Sequence, residues 1–80
     1  PMLTLRALVV DDSRVMRTML MQSLRRTGLA EWEFAEAEDG ADALARFDPA
    51  AVDICFVDWT MPALSGLDFV RRARARGTNR

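Results

Sequence analysis

Residues 5–13 read Leu5-Arg6-Ala7-Leu8-Val9-Val10-Asp11-Asp12-Ser13. A nearly continuous apolar run that stops at two aspartates suits a strand buried on both faces, as in a parallel sheet. Ser13 then reads as a helix N-cap. From Arg14 to Thr27, Met16, Leu20 and Leu24 recur four residues apart, with Val15 and Met19 beside them, which makes one apolar stripe. Core packing is the expectation for Met16 and Met19, more than a methionine-rich binding face. Gly28 sits where a glycine ends a helix.

The same alternation continues along the chain. Glu33 to Ala37 is a weaker strand, with Trp32 a packing residue in the connection before it. Glu36, Glu38 and Asp39 read as loop solvation, with Asp39 also placed to cap a helix. Glu38-Asp39-Gly40 is a turn, Ala41 to Phe47 a short helix, and Pro49 stops it. A second strongly apolar run, Asp53-Ile54-Cys55-Phe56-Val57-Asp58, ends in an aspartate. Cys55 reads as a core thiol. Trp59 to Pro62 forms a loop. Ser65 or Gly66 opens a helix that runs to about Arg76, with Leu67, Phe69, Val70 and Ala73 on its apolar side. Arg71, Arg72, Arg74 and Arg76 form its solvated face and suit a helix C-terminus. Strands alternating with helices in the order β-α-β-α-β-α imply an α/β fold on a parallel sheet.

Composition narrows the chemistry. Eighty residues allow one domain. With 50% hydrophobic and 29% charged residues, the chain is not of the disordered class. It contains no His, and all eleven basic residues are Arg. Histidine metal sites, histidine general bases and lysine nucleophiles are therefore excluded within it. One cysteine excludes an internal disulfide. The net charge of -1 does not favour nucleic-acid binding. No apolar run is long enough to span a membrane. The N-terminal stretch lacks the pattern of a secretory signal, so a cytoplasmic location is expected. What remains is carboxylate chemistry.

Both strong strands end in aspartates: Asp11-Asp12 and Asp58. In an open parallel sheet, sites form beyond the carboxyl ends of the strands. If these two strands are neighbours, three carboxylates converge, and their repulsion calls for a cation. A hard divalent ion such as Mg²⁺ suits an all-oxygen donor set. Helix capping would account for Asp11 or Asp12. It does not account for Asp58, because Trp59-Thr60-Met61-Pro62 intervenes before the next helix.

Four segments together resemble the receiver domain of two-component response regulators, in particular its single-domain chemotaxis type. They are Val9 to Ser13, Glu38 to Leu44, Asp58-Trp59-Thr60-Met61-Pro62 and Ser65-Gly66-Leu67. The resemblance covers residues 5–76. It implies a flavodoxin-like, doubly wound parallel sheet, here with strand order 2-1-3. It implies that Asp58 is the phospho-acceptor, taking a phosphoryl group from the phosphohistidine of a sensor histidine kinase. It implies Mg²⁺ held by the side chains of Asp12 and Asp58 and the backbone carbonyl of Thr60, with Asp11 acting through a bound water. Met61 and Pro62 would hold the loop, and Gly66 would let the backbone approach closely at the helix start. Trp59 is either a surface aromatic or a ring lining the site.

The family fold has five βα units, and residues 1–80 would form a partial receiver lacking the fourth and fifth. The family's phosphoryl-binding Ser or Thr and its Lys belong to those later units. Without them the strand around Asp58 becomes an open edge, and a self-associating or domain-swapped dimer is the expectation for the chain alone. The alternative function is a receiver-like interaction module that is never phosphorylated. In either case the chain is read as a signalling module and not as a turnover enzyme. The downstream effector is not legible.

Overall fold

The computed structural model describes residues 2–58, 60 and 66–76. Three strands and three helices alternate: β1 (Thr4–Val10), α1 (Arg14–Arg26), β2 (Glu31–Ala37), α2 (Gly40–Arg46), β3 (Ile54–Val57) and α3 (Gly66–Ala75). The strands form one parallel sheet in the order β2-β1-β3. Val10 is paired with Ala37 on one side and Val57 on the other, so all three strands end level. The apolar run of β1 is central, and Ala7, Leu8, Val9 and Val10 are each 2% exposed or less. Such burial is possible only with both faces of the sheet covered.

Alternation along each strand separates the two faces. Leu8, Val10 and Ala37 point toward α2 and α3, where Ala43, Leu44, Phe69 and Ala73 complete the buried core. Phe47 meets Phe69 edge to face at 5.8 Å. On the opposite face Trp32 stacks on Phe34 with ring centres 5.6 Å apart and lies near Phe56. The Arg25 guanidinium of α1 covers the Phe34 ring at 4.7 Å, a cation–π contact that ties the helix to this side.

Local chemistry sets the helix ends. The Ser13 hydroxyl accepts from the Met16 amide, and Arg25 and Arg26 fill the last turn of α1. Gly28 follows with φ 68°, the left-handed conformation that favours glycine. Asp39 caps α2 by accepting from the Asp42 amide.

Several expectations are corrected. Trp32 lies inside β2, which begins at Glu31 rather than Glu33. Glu36 is likewise a strand residue, ion-paired with Arg17 at 3.0 Å, and not loop solvation. Met16 and Met19 do not pack in the core; they are 52% and 55% exposed, and no residue of α1 is fully buried. The helix rests on the sheet through the face of Leu20 and Leu24, rotated away from those methionines. Leu67 is also exposed, while Phe69 and Ala73 are buried as the periodicity predicts. Cys55 is half-buried against the core, and that burial pushes its thiol pKa up.

Candidate functional site

The site lies where the strands end. The Asp11 amide donates to the Ala37 carbonyl at 3.1 Å, and the Asp58 amide donates to the Val10 carbonyl at 2.9 Å. These bonds carry the sheet ladder one residue past each strand and bring the loops after β1 and β3 together. The Asp11 carboxylate accepts from the Ser13 amide at 2.8 Å, so the chain turns directly into α1. As a result, one carboxylate oxygen each from Asp11, Asp12 and Asp58 lies within 4.8 Å of the others. Asp11 and Asp58 are half-buried and Asp12 is exposed.

Asp58 is further ordered by Thr60. The Thr60 amide donates to Asp58 Oδ1 at 3.0 Å and the Thr60 hydroxyl to the same oxygen at 2.8 Å. These two donors, the amide first, hold the Asp58 carboxyl below the usual carboxylate range. Asp58 is therefore an oriented anion at neutral pH, and its Oδ2 has no hydrogen-bond partner among the described residues. None of the three aspartates pairs with an arginine among the described residues. Three uncompensated carboxylates at this spacing repel one another. Their all-oxygen donor set fits a hard divalent cation such as Mg²⁺.

The residues expected at this site from sequence thus divide into three groups. Asp11, Asp12, Asp58 and Thr60 come together. Gly66 begins α3. Trp59, Met61 and Pro62 lie outside the described residues.

Sequence reading missed Arg17. Its Nη1 donates to the Asp11 carbonyl at 2.6 Å and its Nε to Glu36 Oε1 at 3.0 Å. The only sequence signal was a cation in the first turn of the helix after the paired aspartates. Beside it, an open groove runs over the end of β2, lined by Asp12, Arg17, Glu36, Glu38, Asp42 and Arg46. Within it Arg46 pairs with Asp42 at 2.9 Å, and this hydrogen bond holds the Asp42 carboxyl low.

Comparison with known proteins agrees with this geometry. The model of the response regulator receiver domain matches residues 7–79. The chain is 39% identical over 72 residues to chemotaxis protein CheY1 of Helicobacter pylori, covering 89% of this chain and 56% of that protein. It is 37% identical over 71 residues to chemotaxis protein CheY of Pseudomonas aeruginosa, with the same coverage of 89% and 56%. Among solved structures, Vibrio cholerae chemotaxis protein CheY4 superposes with a TM-score of 0.77 at 34% identity, covering 91% of this chain and 58% of that one. The chain spans about half the length of the curated relatives it matches. No helix among the described residues is long and apolar enough to cross a membrane. A flavodoxin-like parallel sheet in the order 2-1-3, an aspartate cluster at its carboxyl edge and a family match over almost its whole length lead to one conclusion: this chain belongs to the response regulator receiver domain family.

Proposed function

We propose that the chain is the phospho-accepting part of a receiver in a cytoplasmic two-component pathway. The observation that carries this reading is the convergence of Asp11, Asp12 and Asp58, with Asp58 held as an anion by Thr60. An Asp58 oxygen attacks the phosphorus of a sensor kinase's phosphohistidine. The new P–O bond forms as the P–N bond breaks, and the electron pair leaves with the imidazole, which takes up a proton. The Thr60 donors orient the nucleophile, and the Asp11–Ser13 turn keeps Asp11 and Asp12 at the mouth of the site. Asp12 and Asp58 would hold Mg²⁺ through their side chains and Thr60 through its carbonyl, with Asp11 acting through a water. The ion would supply charge neutralisation for the transferring phosphoryl group.

Intact mass measured before and after incubation with Mg²⁺ and acetyl phosphate tests the reading. The expected result is a gain of one phosphoryl group that disappears in Asp58→Asn. No gain in a receiver carrying all five βα units, or failure to bind Mg²⁺, would favour the interaction-module alternative, whereas no gain in residues 1–80 alone would point to the lysine and the Ser or Thr of the later units. Steady release of phosphate over many turnovers from a small phosphoester, which is no donor to an aspartate acceptor, would contradict a signalling module.

The 80-residue stretch by itself is proposed to self-associate. β3 pairs only with β1 among the described strands, and Val15, Met16 and Met19 are exposed on α1. An edge strand and an apolar helix face invite pairing with a second copy. Light scattering across a concentration series is expected to show dimers or larger species, and a monomer at every concentration would refute this.

A further inference from the structure

We propose that Arg17 is a positioning residue for the aspartate pair. Anchored by Glu36, its guanidinium fixes the peptide between Asp11 and Asp12 and thereby sets how both carboxylates meet a divalent cation. The inference rests on the metal reading given above. Asp12 is exposed and makes no hydrogen bond of its own among the described residues. Its placement therefore depends on the peptide plane that it shares with Asp11. That plane is rigid, so fixing its carbonyl oxygen fixes the direction in which Asp12 leaves it. Arg17 Nη1 holds this oxygen at 2.6 Å, a short charge-assisted bond. The same side chain donates through Nε to Glu36 at 3.0 Å, and only 13% of it is exposed. A planar fork gripped at two points has little freedom to swing. The loop thus has three ties. The Asp11 amide is bound by β2, the Asp11 carboxylate by Ser13 and the Asp11 carbonyl by Arg17.

Charge and geometry make opposite predictions for this residue. Arg17 is a cation beside a proposed cation site. If only its charge mattered, removing it would tighten Mg²⁺ binding. If it positions the loop, removing it weakens binding, as loss of an outer partner of a metal ligand does.

Calorimetric titration of the chain with MgCl₂ at constant ionic strength separates the two. Each variant is measured at a temperature where its circular dichroism shows it folded. Arg17→Gln is expected to raise the Kd about tenfold. Arg17→Lys keeps the charge but not the fork, and is expected to lose part of the affinity. Arg46→Gln removes a cation of the same groove that has no bond to the loop, and is expected to bind as the unaltered chain does or more tightly. Equal or tighter binding by Arg17→Gln overturns the proposal. If that variant does not fold, unchanged affinity in Arg17→Lys overturns it instead. Failure of the unaltered chain to bind Mg²⁺ overturns the metal reading itself, and the inference with it.

Discussion

The two ends of the sheet treat aspartate in opposite ways. At the amino-terminal end of β3, Asp53 is exposed but paired. It accepts from the Arg6 amide at 2.9 Å and from Arg6 Nε and Nη2 at 3.2 Å, and its own amide donates back to the Arg6 carbonyl at 2.8 Å. Arg6 Nη1 adds a bond to the Ala50 carbonyl. At the carboxyl end, five residues further along the chain, Asp58 faces two more carboxylates and no arginine among the described residues. The contrast separates a carboxylate that holds the fold from carboxylates held by the fold. The first kind is satisfied within the chain. The second kind is left with unbalanced charge, which costs stability until a ligand supplies the opposite sign.

The largest effect expected from this contrast is a response to metal. At a Mg²⁺ concentration one hundred times the Kd, binding stabilises the native state by about 2.7 kcal/mol. Thermal unfolding with and without Mg²⁺ should show this gain in the unaltered chain and lose it in Asp12→Asn. Asp53→Ala should retain the gain, because Asp53 belongs to the other end. An equal loss in both variants would erase the distinction. Next in size is the cost of opening the clamp. Asp53→Ala removes the acceptor of three Arg6 donors and should lower the melting temperature by on the order of 5 °C. Asp12→Asn in chelator should move the other way, raising it by about 3 °C as one member of the repelling cluster is neutralised. A fall in both would mean that Asp12 has a structural partner after all.

Much of the fold was legible because its signals are local. The apolar run of β1, the Ser13 and Asp39 caps and Gly28 each declare themselves within a few residues. The aspartates after β1 and β3 were legible for the same reason: each interrupts an apolar run. What was not legible is how a helix is rotated on its sheet. Met16, Met19, Leu20 and Leu24 all fit one broad stripe, and periodicity does not choose which edge of it is covered. Tertiary contacts chose, with Arg25 over Phe34 and Arg17 at Glu36 turning α1 so that Met16 and Met19 face outward. Arg17 was missed for a related reason. Its two acceptors, a backbone carbonyl and a glutamate of another strand, leave no local signature.

The smallest effect comes from acid. Asp42 belongs with Asp53, since Arg46 holds it one helical turn away and lowers its carboxyl pKa in the folded chain. A carboxyl whose folded pKa lies below its unfolded value contributes stability that is fully present above the unfolded pKa. That contribution is lost as pH falls through the folded pKa. Both groups are near the surface, so the contribution is small and screened by salt. Arg46→Gln should therefore lower the melting temperature slightly at neutral pH. The gap from the unaltered chain should close as pH falls below the ordinary aspartate range, and close at neutral pH in high salt. Asp12→Asn gives the counterpart. Its advantage in chelator at neutral pH should shrink in high salt, because salt screens the repulsion that the substitution removes. Salt should thus draw the two variants toward the unaltered chain from opposite sides, Arg46→Gln from below and Asp12→Asn from above. Melting curves that approach from the same side would show that paired and unpaired carboxylates in this protein do not differ in the sense the geometry implies.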